Sequence, residues 1–303
     1  MGNKVVVCAY HNIGYRCLEE LIAQGADIRL IFTHEDSPTE QIWFSSVREL
    51  AEKYDIPWIT SSINEPENIS RVREIAPDFL LSFYYRNMIN AEVLAIPAYG
   101  ALNLHGSFLP NYRGRVPVNW AVINGEAETG ATLHYMIEKP DAGDIVDQEK
   151  VAIAFSDTAY DVFGKVNLAA VTVIKRAWPK LVSGTADRIK MDIADGSYFG
   201  GRKPEDGRID WSKSAIQLYN LIRGVTHPYP GAFTTLAGKQ VTIWQAWPAD
   251  GSGKPGHIES TAPLLVGTGN GLLGIRKLQF ENEPEVEAAA ALELIQCTNL
   301  EFE

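Results

Sequence analysis

Apolar runs alternate with amphipathic segments over the first two thirds of the chain. The apolar runs predict strands at residues 4–10, 28–32, 56–60, 79–84 and 101–105. Apolar side chains at helical spacing predict helices at residues 15–24, 45–54, 66–75 and 159–182. Strands that alternate with helices of this length form βαβ units around a parallel sheet that is buried on both faces. The expected fold class is therefore α/β, with a mostly parallel sheet.

The composition changes near residues 195–210, where Gly, Asp, Arg, Lys and Pro predominate. We interpret this stretch as a linker. Beyond it, one helix is predicted at residues 214–223, and short strands are predicted at 233–236, 241–246, 264–266 and 272–275. Glycine and proline separate these strands, as is typical of a small β-barrel. The sequence thus predicts a first domain of residues 1–190 and a smaller, β-rich domain of residues 204–303.

The charge balance disfavours several classes of partner. In 303 residues, 27 Lys and Arg stand against 38 Asp and Glu, which gives a net charge of −11. Such a chain is a poor general binder of nucleic acid or of an anionic membrane surface. Three cysteines do not make a disulfide framework. The apolar run 5–9 is too short for a signal peptide, and the uncharged stretch 93–112 contains proline and asparagine, so no membrane insertion is expected. We expect a cytoplasmic protein.

No G-x-G-x-x-G motif follows the first predicted strand, and a nicotinamide-dinucleotide site is therefore not expected. The prominent polar residues are instead Asn103 and His105, which alternate with leucines in a predicted strand and so point to one face. Ligands bind at the carboxyl ends of strands in open α/β sheets. Arg113 and Arg115 follow in a loop rich in Pro and Gly, where they either bind phosphate or carboxylate groups or contact solvent.

A second polar cluster lies in residues 129–144. A strand is predicted at 132–137, and P-D-A-G at 140–143 predicts a tight turn that contains Asp141. An Asp next to a turn glycine is commonly a turn former, and a catalytic role requires that it lie close to His105. No metal site is expected, because metal-ligand spacing is absent from the histidines His11, His34 and His134.

Three motifs occur together in this order: H-G-S-F-L-P-N-Y-R-G-R at 105–115, N-G-E-A-E-T-G-A-T-L-H at 124–134, and D-A-G-D at 141–144. Together they resemble the folate-dependent formyltransferases, over nearly the whole chain. The resemblance implies a Rossmann-like catalytic domain followed by a C-terminal OB-like β-barrel subdomain. It also implies 10-formyltetrahydrofolate as the co-substrate and Asn103, His105 and Asp141 as the catalytic residues.

Further stretches suggest a subgroup of this family. A-Y-H at 9–11, S-F-Y-Y-R at 82–86 and H-P-Y-P-G-A-F at 227–233 are most similar to the formyltransferase domain of a bifunctional polymyxin-resistance protein. This likeness implies formyl transfer to the 4-amino group of UDP-4-amino-4-deoxy-L-arabinose, in lipid A modification. The chain is then either a free-standing enzyme or a domain fused to a decarboxylase in a longer parent, and a homo-oligomer is a further expectation.

The resemblance also assigns binding residues. The folate site is expected to contain Asn87, Met88, Ile89, Arg115, Ile137, Glu138, Lys139, Pro140 and Asp141. The nucleotide-linked amino sugar is expected to contact Tyr10, Arg86, Ser107, Tyr112 and Arg113. Met88 and Ile89 fit ordinary core positions equally well.

Other functions fit parts of the pattern. Formylation of another UDP- or dTDP-linked amino sugar uses the same site. Formylation of methionyl-tRNA uses the same chemistry, but residues 33–40, T-H-E-D-S-P-T-E, lack the basic side chains that tRNA phosphates require. An inactive module that binds folate or a nucleotide sugar is a third possibility, and it is disfavoured because all three catalytic positions carry the expected residue types.

Overall fold

Strand β1, Lys4–Ala9, lies within a seven-stranded sheet, and its side chains from Val5 to Ala9 are fully buried. The computed structural model describes residues 3–37, 42–295 and 301–303. Two units make up the chain: residues up to 117, 128–152 and 164–200 form the first, and residues 118–127, 153–163 and 201–303 form the second. The described strands of the first unit are β1 Lys4–Ala9, β2 Asp27–Phe32, β3 Trp58–Ile59, β4 Phe79–Phe83, β5 Ala101–His105, β6 Arg113–Gly114, β7 Glu128–Tyr135, β8 Ile145–Ala152 and β9 Tyr198–Phe199.

The strand order in the large sheet is β3-β2-β1-β4-β5-β7-β8. Neighbours from β3 to β5 are parallel, whereas β7 and β8 are antiparallel to the strands beside them. The prediction of an α/β fold with a mostly parallel sheet is confirmed. Strand β7 begins and ends earlier than the predicted strand 132–137, and β8 was not predicted, because its polar and charged residues at 147–150 break the apolar pattern.

The first four helices connect the parallel strands of the large sheet. The described helices are α1 His11–Ala23, α2 Val47–Lys53, α3 Pro66–Ile75, α4 Ala91–Leu94, α5 Pro117–Ile123, α6 Ala159–Ser183, α7 Ala215–Val225 and α8 Ala288–Ile295. Polar caps define several of their first turns: Ser46 Oγ accepts from the Glu49 N–H before α2, and Asn90 Oδ1 accepts from the Val93 N–H before α4. Helix α1 begins at His11, four residues before the predicted start at residue 15, with no side-chain cap.

The interpretation of residues 195–210 as a linker is wrong for their first part. Strand β9 lies in this stretch and pairs in parallel with β6. Two glycines allow close backbone approach here, since a Cβ at Gly114 would overlap the carbonyl oxygen of Phe199, and one at Gly196 would overlap that of Pro110. We call this two-stranded element, residues 113–114 and 198–199, the β6–β9 ribbon.

The second unit contains an antiparallel sheet of order β10-β11-β14-β13-β12, with β15 paired to β14. Its strands are β10 Ala232–Leu236, β11 Lys239–Ala249, β12 Ile258–Thr261, β13 Leu264–Gly267, β14 Leu272–Phe280 and β15 Val286–Glu287. A capping box at Ser214 and Gln217 starts α7, which packs against this sheet with Leu218 and Ile222 in its core. The expected β-rich C-terminal subdomain is confirmed.

The last residues of the chain join the two edges of this sheet. Glu301 forms a bridge with His257, directly before β12, and Phe302 forms a bridge with Leu236 at the end of β10. The Phe302 ring is buried and stacks on Trp211 at a centroid distance of 5.4 Å. The C-terminal pair thus completes the barrel-like arrangement expected for this subdomain.

Cys8 and Cys17 are buried thiols in the first unit, and Cys297 lies outside the described residues. Within the described ranges, no helix has the length and apolar character needed to cross a membrane.

Candidate active site

The three residues that the motifs assign to catalysis lie together at the carboxyl end of β5 in the large sheet. Asn103 and His105 are two residues apart on β5 and share a face, and Asp141 lies in the turn after β7. The Asp141 Oδ1 atom is 3.5 Å from His105 Nδ1 and 3.4 Å from Asn103 Nδ2. Strand β7 ends with Tyr135 beside Leu102, near the start of β5, and the turn that follows β7 reaches back along β5 to place Asp141 against Asn103 and His105.

A backbone carbonyl orients the His105 ring. His105 Nε2 lies 2.8 Å from the carbonyl oxygen of Tyr112, which can only accept, so Nε2 carries a proton. Tyr112 has a φ of 57°, a left-handed conformation. The other ring nitrogen, Nδ1, consequently faces the Asp141 carboxylate.

Asp141 is held as a carboxylate although only 12% of its side chain is exposed. Burial raises the pKa of Asp141, but the charge of His105, the hydrogen bond and charge of His134, and the Gly114 N–H together lower it further than burial raises it. The Gly114 N–H donates to Oδ2 at 2.9 Å. The net pKa of Asp141 lies well below its ordinary range, so this group is a fixed negative charge at neutral pH.

The turn that presents Asp141 is tightly constrained. Asp141 has a φ of 48°, which a non-glycine residue adopts only when its surroundings hold it there. The Tyr135 N–H donates to the Asp144 carbonyl oxygen at 2.8 Å across the base of the turn. A Cβ at Gly143 would overlap the carbonyl oxygen of Tyr135, so this position accepts only glycine without rearrangement.

Sequence reasoning missed a second histidine of this cluster. His134 is 1% exposed, and its Nε2 is 3.4 Å from Asp141 Oδ1 and 3.3 Å from Asn103 Nδ2. Its Nδ1 lies 2.8 Å from the carbonyl oxygen of Tyr135, to which it donates. One sequence feature could have indicated His134, because it is a polar residue in a predicted apolar strand. In the structure it lies directly opposite Asn103 in the register of β5 and β7.

The Asn103 amide joins the two halves of the cluster. Its Nδ2 group faces both His134 Nε2 and Asp141 Oδ1, at 3.3 Å and 3.4 Å. Both contacts are long for hydrogen bonds. A closer acceptor therefore competes for one of these N–H groups at small cost.

Two family models match the chain. The model for formyl transferase matches residues 7–177, which is more than half of the 303 residues, and the model for the formyl transferase C-terminal domain matches residues 202–294. The chain belongs to the formyl transferase family. The prediction of a formyltransferase is thereby confirmed, as is the expected pairing of a catalytic fold with a smaller C-terminal one.

Solved structures share the fold at low sequence identity. The N-formyltransferase from Helicobacter canadensis, in complex with folinic acid and dTDP-3-aminofucose, is 19% identical, with a TM-score of 0.70 over 93% of this chain and 100% of its own. A sugar N-formyltransferase from a Shewanella species is 18% identical, with a TM-score of 0.64 over 80% of this chain and 96% of its own. HypX from Aquifex aeolicus, in complex with tetrahydrofolic acid, is 18% identical, with a TM-score of 0.65. The match includes 98% of this chain but only 48% of HypX, so this chain spans about half the length of HypX.

These matches establish the family but not the subgroup. The likeness to the formyltransferase domain of a polymyxin-resistance protein, and the particular amino sugar that it implies, stay predictions.

Most of the residues assigned to folate in this formyltransferase are exposed or half-buried. Met88 is 57% exposed and Ile137 is 48% exposed, whereas Ile89 is buried in a cluster against which Met136 packs. Asn64 Nδ2 donates to the Met88 carbonyl oxygen at 2.7 Å and holds that segment. The remaining assigned residues are exposed or half-buried: Asn87, Arg115, Glu138, Lys139 and Pro140.

Two of the residues assigned to the sugar nucleotide of the formyltransferase are in contact with each other. Tyr10 follows β1 and Arg86 follows the adjacent β4, so both lie, like His105, where the parallel strands have their carboxyl ends. The Arg86 guanidinium lies 4.6 Å from the centroid of the Tyr10 ring. The Tyr10 hydroxyl donates to Asp36 at 2.8 Å. Tyr10 is buried, whereas Arg86 is exposed.

The other three assigned residues follow β5 and are buried: Ser107 and Tyr112 lie in the loop between β5 and β6, and Arg113 is the first residue of β6. Ser107 is fully buried, and its Oγ donates to the Asn111 carbonyl oxygen at 2.6 Å, which stabilises the turn. The Tyr112 ring stacks on Phe199 at 4.9 Å. Arg113 is 8% exposed, contrary to the solvent-exposed alternative for this loop. Among the described residues, no three His, Cys, Asp or Glu side chains come together in a way that could hold a metal ion.

Proposed function

We propose that this formyltransferase transfers a formyl group from 10-formyltetrahydrofolate to the amine of a nucleotide-linked amino sugar, specifically the 4-amino group of UDP-4-amino-4-deoxy-L-arabinose. The observation that carries the proposal is the buried pair of Asp141 and His105 next to the Asn103 amide. The Helicobacter canadensis enzyme of similar fold, in complex with folinic acid and dTDP-3-aminofucose, supports this class of substrates. The particular sugar follows from the stretches 9–11, 82–86 and 227–233.

The surface around the cluster suits a folate. Exposed Met88 and Ile137 offer apolar contact area for a flat heteroaromatic ring. Their chain neighbours belong to one core cluster, in which Ile89 is buried and against which Met136 packs. The turn that carries Asp141 directly follows Ile137, so a ring bound there lies next to the reacting groups.

His105 is proposed as the group that moves protons. The folate supplies the formyl carbon that the amine attacks, so that negative charge develops on the formyl oxygen. His105 keeps its Nε2–H on the Tyr112 carbonyl, and as an imidazolium it stabilises that charge and gives the Nδ1 proton to the leaving folate nitrogen. The proton lost by the amine then returns to Nδ1. Asp141 favours the imidazolium throughout, since its lowered pKa keeps it ionised.

Asn103 is proposed to donate an N–H to the formyl oxygen. Its amide makes only long contacts with His134 and Asp141, so one N–H can turn to a new acceptor while the other holds the side chain in place. Removing one such donor from an oxyanion site typically costs about 10²–10³ in rate.

A panel of amines tests the proposal. The enzyme is incubated with 10-formyltetrahydrofolate and, separately, with UDP-4-amino-4-deoxy-L-arabinose, a dTDP-linked 3-amino sugar, a dTDP-linked 4-amino sugar and methionyl-tRNA. We expect the mass of the UDP sugar to increase by one CO unit, with the His105→Ala variant as the inactive control. Preference for a dTDP sugar would overturn the particular sugar and keep the substrate class. Formylation of methionyl-tRNA alone would overturn the class.

A further inference from the structure

Arg113 is a buried cation whose Nε–H has no hydrogen-bond acceptor in the described part of the chain. The residue is 8% exposed, and its buried Nε–H makes no hydrogen bond to any described residue. The described contact of its guanidinium is with the ring of Tyr198, whose centroid is 5.8 Å from Cζ. Burial of a charge without a hydrogen-bonded partner is costly, so such a group is retained where a ligand supplies the partner.

The β6–β9 ribbon holds Arg113 in place from both sides. The Arg113 N–H donates to the Ser197 carbonyl oxygen, and the Arg115 N–H donates to that of Phe199, each at 3.0 Å. Gly114 between them packs directly against the Phe199 backbone. The backbone of Arg113 is therefore fixed before any ligand arrives, which reduces the entropy that a guanidinium loses on binding.

The same ribbon adjoins the candidate catalytic groups on both sides of Arg113. The preceding residue, Tyr112, supplies the carbonyl that orients His105. The following residue, Gly114, donates its N–H to Asp141. The backbone of Arg113 thus lies between the two residues whose backbone groups position the proposed proton-transfer pair.

We propose that Arg113, with Tyr198 beside it, is the subsite for the diphosphate of the sugar nucleotide. This inference rests on the proposed function, which places such a substrate in this site. A guanidinium binds phosphate oxygens in a bidentate way, and its planar fork is worth more there than a point charge. The glutamate carboxylates of the folate are chemically similar anions, and the test below distinguishes the two sources.

Calorimetry with UDP, uridine, inorganic pyrophosphate and folinic acid measures what Arg113 binds. For the wild type we expect UDP to bind more tightly than uridine. In Arg113→Met the affinity for UDP and pyrophosphate falls by about 10- to 100-fold, as for loss of hydrogen bonds to a charged group, while that for uridine and folinic acid is unchanged. Arg113→Lys keeps the positive charge but lacks the planar guanidinium, and its affinity for UDP should lie between those of the wild type and Arg113→Met. Arg188→Met is the matched control, because Arg188 also lies over an aromatic ring but is 62% exposed.

Thermal melts distinguish a ligand site from a structural role. Without ligand, Arg113→Met should melt at or above the wild-type temperature, since it removes a buried charge whose Nε–H has no acceptor. It should also lose the increase in Tm that UDP gives the wild type. A lower Tm with unchanged UDP affinity would overturn the proposal in favour of a structural arginine.

Two further outcomes separate this inference from the proposed function. A loss of folinic acid affinity, with UDP affinity unchanged, would assign Arg113 to the folate carboxylates and overturn the diphosphate subsite. If the wild type binds neither UDP nor uridine, the proposed substrate class fails. In that case, pyrophosphate binding that Arg113→Met abolishes still supports a phosphate subsite, and its absence overturns that as well.

Discussion

Replacement of Asp141 by Asn removes a negative charge from the candidate site while the side-chain volume stays the same. The carboxylate is 3.5 Å from His105 Nδ1 and its side chain is only 12% exposed. At that distance, Coulomb's law with an effective dielectric constant of about 20 gives about 4–5 kcal/mol for a carboxylate and an imidazolium. This value is an upper limit, because part of the interaction already exists in the ground state. We expect kcat to fall by about 10²- to 10³-fold.

The assay compares kcat, folinic acid affinity and Tm for the wild type and Asp141→Asn. Folinic acid affinity should change little, because the lost charge acts on proton transfer rather than on the bound ring. Asp144→Asn is the matched control: it lies in the same turn but pairs with the exposed Arg188, and it should keep its activity. Combination with His105→Ala should cost much less than the product of the two single effects, because the residues act as one unit.

The pH dependence of stability gives a second readout for the same variant. The pKa of Asp141 is lowered in the folded state, so its charge stabilises the fold above the unfolded-state pKa of about 4 and this contribution is lost as the pH falls below it. The difference in stability between wild type and Asp141→Asn should therefore diminish in acid. Wild-type kcat in Asp141→Asn would refute the pairing with His105 and leave Asp141 as a turn former.

Three other predictions follow from the described contacts. Burial and the charge of Arg86 lower the pKa of His34 to about 4, so an NMR titration should find His34 neutral down to that pH, and Arg86→Gln should raise its pKa. The stability that neutral His34 contributes should decline as the pH falls from about 6.5 towards 4. Gly143→Ala should lower Tm and kcat because its Cβ meets a backbone carbonyl, whereas the control Gly164→Ala, with open space around it in α6, should raise Tm slightly. Phe302→Ala should cost about 3–5 kcal/mol of unfolding free energy in urea denaturation, because it leaves a cavity in the core of the second unit.

The parallel part of the large sheet could be predicted because its strands are continuous apolar runs. Strand β4, for example, is buried at every position, as a strand covered on both faces must be. Strand β8 escaped prediction because it is bordered by one strand only and carries charged residues along its length. Strand β9 escaped because it is two residues long and lies among glycines that resemble a linker in composition.

The candidate catalytic residues could be identified by type but not by contact. Asn103 and His105 share a face because of the two-residue period of a strand, which is visible in the sequence. The proximity of Asp141 depends on the path of the turn after β7, which begins beside the start of β5 and reaches back to Asn103 and His105, and no local pattern reveals that path. The burial of Arg113 depends on its pairing with a segment more than eighty residues later, so the sequence left both a solvent-exposed and an anion-binding role open.

Single-turnover transfer of an isotope-labelled formyl group tests whether Asp141, paired with His105, accelerates formyl transfer to the sugar amine. Enzyme in excess over labelled 10-formyltetrahydrofolate is mixed with UDP-4-amino-4-deoxy-L-arabinose, and the label is followed in the product at early times. We expect the label to appear in an amide on the sugar nitrogen. It should appear rapidly with the wild type and with Asp144→Asn, and at least about 10²-fold more slowly with Asp141→Asn. Label that stays on the folate, or that reaches the sugar equally fast without the Asp141 carboxylate, would contradict this expectation.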